Sequence, residues 1–305
     1  MPSVFEILRA RRDRGSRAPH GDGASVALAV EGGAMRGVIS AGMVSALEEL
    51  GFTDAFDAVY GSSAGAINAA YFLAGQARLG TTVYYEDINS RAFISLRRAV
   101  VGRPIVDLGF LLDEVAVARK TLDVGRVLAS ASPLSVLATD IESGTADALR
   151  DFRSGAELLQ ALRAGATMPV VAGPPREVRG RRYLDASLSQ PIPVPAAEAD
   201  GHTHILVLLT RGGAMRARPS AFDRFYVGPR LRRVSPDLAS RYLARAESYS
   251  ALLRQIDAGR GPLGRATVTA VRASALHIGK LERRRAVLEQ GAREGHAAVR
   301  RALDV

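Results

Sequence analysis

The chain has 305 residues and carries 41 Lys and Arg against 31 Asp and Glu, a net charge of +10. It has no Cys, so disulfides, thiolate chemistry and Cys-based zinc sites are excluded. The cationic charge is nearly all Arg, Lys occurring only at Lys120 and Lys280, and with 6% aromatics and no Trp there is little to stack on bases; the charge fits weak attraction to anionic lipid head groups better than nucleic-acid binding.

Residues 1–23 are expected to form a flexible arm with a helical turn or two over 4–11. The arm has no apolar stretch long enough for a secretory signal, and no run in the chain approaches the ~18 apolar residues of a membrane span. The expected location is the cytoplasm, with peripheral contact at the inner face of the membrane. Residues 25–30 read as a buried strand. A glycine-rich turn follows, and then a helix over 38–50 with Val38, Met43, Val44, Leu47 and Leu50 at helical spacing, stopped by Gly51. Residues 56–60 are a second strand. A second glycine-rich turn leads into 64–74, mostly small and apolar, which suits a helix buried against a sheet.

Residues 81–130 read as helical, with breaks at Pro104 and Gly109. A short strand over 135–139 ends at Asp140, and 156–164 is a helix. A Pro- and Gly-rich passage over 165–182 precedes a short strand that ends at Asp185. Pro191, Pro193 and Pro195 rule out an immediate helix. Residues 203–210 form the clearest strand. Beyond Arg211 come an Arg-rich stretch to 236, an amphipathic helix over 237–257, a candidate last strand over 267–272 and a charged helix over 281–303. The segment 211–260 has the character of a cap-like insertion. Alternating strands and helices predict an α/β sheet covered on both faces.

Two turns carry the candidate chemistry. In Gly61-Ser62-Ser63-Ala64-Gly65 the flanking glycines let a strand turn sharply into a helix. Ser63 is left exposed at the helix N-terminus, where the dipole favours negative charge. The pattern is common by chance in a chain with 30 Gly, and its weight comes from the strand before it and the helix after it. In Gly32-Gly33-Ala34-Met35-Arg36-Gly37, consecutive glycines let backbone N–H groups converge on an oxyanion or a phosphate. A dinucleotide site is the weaker reading: Ala34 interrupts Gly-x-Gly-x-x-Gly, and the next strand ends in the serine turn rather than in an acid. The spacing of the two turns suits one strand–helix–strand unit.

A Ser–His–Asp triad needs an imidazole. None of His20, His202, His204, His277 and His296 falls in an evident catalytic loop, and each reads as structural or solvent-exposed. A carboxylate acting directly on the serine is the alternative. Asp185 is the first candidate, since it closes a strand and is followed by small residues, Ala186 and Ser187. Asp140 is the second, although Glu142-Ser143-Gly144 beside it suits an ordinary turn.

With these motifs in order, the chain over about 25–210 resembles the patatin-like phospholipase family. Gly32–Gly37 is similar to the family's oxyanion loop, Gly61–Gly65 to its nucleophile motif, and Asp185-Ala186 to its Asp-Gly motif. Ala164-Gly165-Ala166-Thr167-Met168-Pro169 is similar to the passage that precedes that Asp. Arg211 and Gly279-Lys280-Leu281-Glu282 resemble a bacterial, uncharacterised branch. The chain departs from the pattern at Ala34 and Ala186, each in place of the usual Gly; a positive φ at such a position costs an L-residue roughly 1–2 kcal/mol.

The resemblance implies a three-layer α/β/α fold with a central, mostly parallel sheet and a C-terminal helical extension. It divides the chain into the arm (1–23), a catalytic domain (24–210) and an Arg-rich, mainly helical region packed on it (211–305). It implies a serine lipid acyl hydrolase of the phospholipase A type, with Ser63 as nucleophile, Asp185 as its base, and the N–H groups of Gly33 and Ala34 holding the oxyanion. It implies no metal and no cofactor. The expected partners are a lipid or phospholipid ester and an anionic membrane surface; 211–233 with Phe222 and Phe225 is the candidate docking stretch, with a merely solvated Arg-rich loop as the equal alternative. Two rivals stand beside this: a carboxylesterase or acyltransferase using the same dyad on non-phospholipid esters, and a catalytically silent lipid-binding protein.

Overall fold

A computed structural model describes residues 2–212, 223–273 and 278–304. Among the described residues, eight strands make one mixed sheet: β1 (Val26–Val30), β2 (Ala58–Ser62), β3 (Leu134–Asp140), β4 (Ala146–Leu149), β5 (Arg176–Val178), β6 (Arg181–Asp185), β7 (His204–Leu209) and β8 (Thr267–Arg272). Strands β3, β2, β1, β7 and β8 run parallel in that order, so the last strand of the C-terminal region extends the same sheet.

The alternation along β1 sorts the core. Val26, Leu28 and Val30 face one layer, built with the helices Val38–Glu49, Ala64–Leu73, Gly155–Ala166 and Arg285–Ala302. Ala27 and Ala29 face the other, built with Val194–Ala199 and the C-terminal half of Pro236–Asp257. Both faces of the sheet are covered, which is why β1, β2, β3 and β7 read as unbroken buried runs. The result is a three-layer α/β/α fold with a C-terminal helix against the first layer.

The register of β3 positions the site. Its first half pairs with β2, Leu137 standing opposite Ser62. Its second half pairs with antiparallel β6, Ala138 standing opposite Asp185. Residues 136–139 are already bonded to β4 on the other edge. Strands β2 and β6 must therefore lie along the same edge of β3, with their C-terminal ends meeting head-on.

Several sequence expectations change. The arm includes a docked helix, Val4–Asp13, opened by a Ser3–Glu6 capping box and burying Val4, Ile7, Leu8 and Arg11. The guanidinium of Arg11, fully buried, donates to Asp22 at 2.7 and 2.9 Å, to Asp57 at 2.8 Å, and to the carbonyls of Ala24 and Ala55. A helix does follow the prolines: Val194–Ala199 holds Pro195 in its first turn, where a missing N–H has no helical acceptor to lose. Strands β4 and β5 are too short to carry a pattern. The last helix begins at Arg285 rather than 281.

Candidate active site

Ser63 follows the last residue of β2 and caps the helix Ala64–Leu73 with φ 54° and ψ −129°. An L-residue is strained there, and the surrounding backbone holds it. A Cβ on Gly32 would stand 2.3 Å from the Ser62 carbonyl oxygen, and one on Gly65 would stand 2.3 Å from that of Val30. The two glycine-rich turns thus pack backbone against backbone, and no larger residue fits between them.

The head-on meeting of β2 and β6 brings Ser63 Oγ within 2.7 Å of Asp185 Oδ2, to which it donates. Asp185 Oδ1 accepts from the Ser187 N–H at 2.8 Å, and Thr139 Oγ1 donates to the Asp185 carbonyl at 2.8 Å. The carboxyl is buried, and that burial raises its pKa above the ordinary carboxylate range against the opposing hydrogen bonds from Ser187 and Ser63. Ala186 opens a short 3-10 turn without positive φ, so the concern raised by that departure falls away.

Ala34 does adopt φ 53°. The N–H groups of Gly33 and Ala34 make no hydrogen bond among the described residues, whereas Met35 N–H donates to the Lys280 carbonyl and Arg36 N–H to that of Gly33. Arg36 lies behind the loop, so close that a Cβ on Gly33 would stand 2.6 Å from its guanidinium. Its Nε donates to Thr210 Oγ1 at 3.2 Å, and that hydroxyl donates to the Gly32 carbonyl at 2.7 Å. Glu31, also buried, accepts from Thr210 N–H at 2.7 Å and from the Tyr249 hydroxyl at 3.0 Å. On the far side Asn68 Nδ2 donates to the Gly37 carbonyl, and Tyr84 donates to Asn68 Oδ1.

Sequence reasoning missed Glu31, Asn68, Tyr84, Thr210 and Tyr249 as parts of this frame. The Glu beside the glycines was the one available signal.

The histidines lie elsewhere. His202 meets Ser25 and Tyr60, and His204 begins β7, at the end of the sheet away from Ser63. His20 bonds Ser16 and His296 bonds Glu49. His277 lies outside the described residues. Asp140 is a turn residue: Oδ1 accepts from Glu142 and Ser143 N–H groups, and Oδ2 pairs with Arg181 at 2.7 Å. Among the described residues no group of three or more His, Asp or Glu is placed to hold a metal ion.

Ser63, Asp185 and the Gly32–Arg36 loop line a cavity of about 280 Å³. One part of its wall is apolar, with Ile67, Val83, Ile88, Phe93, Val106 and Leu111. Among the described residues, the rest carries four cations, Arg36, Arg211, Arg245 and Lys280, against two carboxylates, Glu31 and Asp185. Part of Lys280 remains open to solvent. Its ammonium is nevertheless desolvated in the cleft and, beside Arg36, Arg211 and Arg245, falls to about 8.

The family model for patatin-like phospholipase matches residues 28–198, over half of the chain. A curated protein of Escherichia coli (strain K12), called Uncharacterized protein YjjU, is 27% identical over 202 residues, 65% of this chain. The match spans 56% of that relative's length. Among solved structures, VipD from Legionella pneumophila aligns with 92% of this chain and 67% of its own, at 12% identity and a TM-score of 0.47.

Proposed function

The chain belongs to the patatin-like phospholipase family, and from that premise we propose that it is a serine lipid acyl hydrolase cleaving phospholipid esters in the manner of a phospholipase A. Ser63 Oγ attacks the ester carbonyl carbon while its proton passes to Asp185 Oδ2. The carbonyl oxygen becomes an oxyanion held by the N–H groups of Gly33 and Ala34. The intermediate then expels the alcohol, which leaves with the proton from Asp185, and an acyl-serine remains. Water attacks the acyl-serine, gives its proton to Asp185, and releases the fatty acid as Ser63 recovers its hydrogen.

The observation that carries this reading is the 2.7 Å contact between Ser63 Oγ and a buried carboxylate on the wall of a largely apolar cavity. A carboxylate whose pKa is raised by burial is a stronger base than an exposed one. The hydrogen bond to Thr210 supports bracing as the role of Arg36. A phosphate-bearing ester rather than a neutral one is favoured by the excess of cations on the cavity wall. Phe225, 75% exposed, is available for peripheral contact with an anionic membrane; Phe222 lies outside the described residues. No helix among the described residues is long and apolar enough to cross a membrane.

One observation favours the silent lipid-binding reading: the φ of 53° at Ala34, where the family has glycine. A serine-reactive fluorophosphonate separates the two. The hydrolase reading expects a covalent adduct on Ser63, found by peptide mass spectrometry; an unlabelled Ser63 would favour the silent binder. An ester panel varying head group separates phospholipid from non-phospholipid substrates.

A further inference from the structure

Residues 93–107 leave the body of the fold as a short hairpin. Its stem is fixed by an antiparallel bridge between Ile94 and Val106, with Ser95 N–H donating to the Ile105 carbonyl and Asp107 N–H to that of Phe93, both at 2.9 Å. Val106 N–H is anchored to the Val171 carbonyl at 2.9 Å. Arg98 folds back on the stem, donating to the carbonyls of Phe93 and Ala92 and pairing with Asp107 at 3.6 Å. The tip is one helical turn, Arg97–Val100.

The tip is apolar where burial gives no reason for it. Leu96, Val100 and Val101 are 66%, 87% and 70% exposed, three large aliphatic side chains within six residues. Scattered exposed apolar residues are ordinary, whereas a cluster on a protrusion marks a contact surface. Around it stand Arg91, Arg97 and Arg103, exposed and without an ion pair among the described residues. There is no Asp or Glu anywhere from 91 to 106. Apolar side chains ringed by unpaired arginines complement an anionic bilayer, whose acyl region takes the former and whose head groups take the latter. The stem residues Phe93, Ile94 and Val106, and Leu108 just beyond them, line the cavity that holds Ser63. A tip seated in lipid would therefore set the apolar wall of the cavity beside the membrane from which a substrate acyl chain must come.

We propose that the 93–107 hairpin is a membrane-docking element, Leu96, Val100 and Val101 entering the acyl boundary of an anionic bilayer while Arg91, Arg97 and Arg103 meet its head groups. The choice of a lipid surface as occupant rests on the lipid-hydrolase reading above; the tip itself is separate from the 211–233 stretch expected from sequence.

The absence of Trp from the chain allows a direct test. Val101→Trp in a Ser63→Ala background places a single indole at the tip of a protein that leaves vesicles intact. With phosphatidylcholine vesicles containing phosphatidylglycerol, its emission should shift to the blue and be quenched by brominated acyl chains, and the protein should sediment with the vesicles. Val100→Asp should weaken that sedimentation by about tenfold or more, with an unchanged melting curve. Arg97→Gln with Arg103→Gln should flatten its salt dependence. Sedimentation without a shift in emission would place the contact elsewhere on the molecule and overturn the proposal. So would equal binding to pure phosphatidylcholine, an absence of binding, or an emission shift that tracks self-association without vesicles. Fluorophosphonate labelling of Ser63 is independent of all these outcomes, so the hydrolase reading and the docking hairpin fail separately.

Discussion

The Gly32 carbonyl accepts a 2.7 Å hydrogen bond from the hydroxyl of Thr210, a residue just past the end of β7. The same hydroxyl accepts from Arg36 Nε, so one small side chain couples the Gly32–Gly37 loop to the guanidinium behind it. Thr210→Val keeps the shape and removes both bonds, leaving a buried carbonyl without its partner. We expect a stability loss of about 1–3 kcal/mol by chemical denaturation. We also expect kcat for ester hydrolysis to fall by roughly 10- to 100-fold with KM little changed, because a loop displaced by a fraction of an ångström no longer meets the oxyanion.

Ala34 stores backbone strain in the same loop, at φ 53°. Ala34→Gly removes the Cβ and keeps the N–H. The gain from relieved strain, about 1–2 kcal/mol, is partly offset by the greater freedom of glycine in the unfolded chain, about 0.5–1 kcal/mol. The net expectation is a small rise in stability, between about 0 and about 1.5 kcal/mol, with labelling of Ser63 by fluorophosphonate at least as fast as in the parent. A drop in both would show that the loop is built around the methyl group.

Burial raises the pKa of Asp185 above its ordinary 3.8. The folded state then holds this proton more tightly than the unfolded state, so stability is lost as pH climbs from 3.8 through the folded pKa and stays lost at neutral pH. Asp185→Asn cannot ionise. Its melting temperature should exceed the parent's at pH 7, with the gap closing below pH 3.8. Its ester hydrolysis should fall by roughly a thousandfold or more. In the parent, the acid limb of kcat/KM should lie above the range of an exposed carboxylate.

Arg11 is a further buried charge with a defined role, tying the N-terminal helix to Asp22 and Asp57. Arg11→Ala strands those carboxylates and should cost about 3–5 kcal/mol in urea denaturation. Arg11→Lys should restore little, because an ammonium lacks the planar fork that reaches both acids and two carbonyls. Hydrogen bonding from Arg11 outweighs burial and holds Asp22 well below its usual carboxylate range. That contribution is present above pH 3.8 and lost as pH falls through the lowered folded pKa, so the parent's advantage over Arg11→Ala should shrink in acid.

The strand–turn–helix around Ser63 was legible because everything it needs is local: an apolar run, two glycines and a small-residue helix. Asp185 was legible for the same reason, as the end of a short strand with small residues behind it. The frame around them was not. Glu31 finds Thr210 179 residues away and Tyr249 218 residues away, and neither partner has a local pattern. Arg11 looked like one more exposed arginine in an Arg-rich chain, because its acids come from a loop and from the residue just before β2. Pro195 misled because proline breaks a helix interior yet suits a first turn, and sequence alone does not say which it occupies. The hairpin tip went unnoticed because Leu96, Val100 and Val101 read as ordinary core residues until their exposure is seen.

The most direct test is steady-state hydrolysis of a phospholipid ester by the parent and by Ser63→Ala, with circular dichroism confirming that both are folded. The proposed function expects the variant to lose about 10⁴-fold or more in kcat. Turnover by folded Ser63→Ala at the parental rate would contradict it.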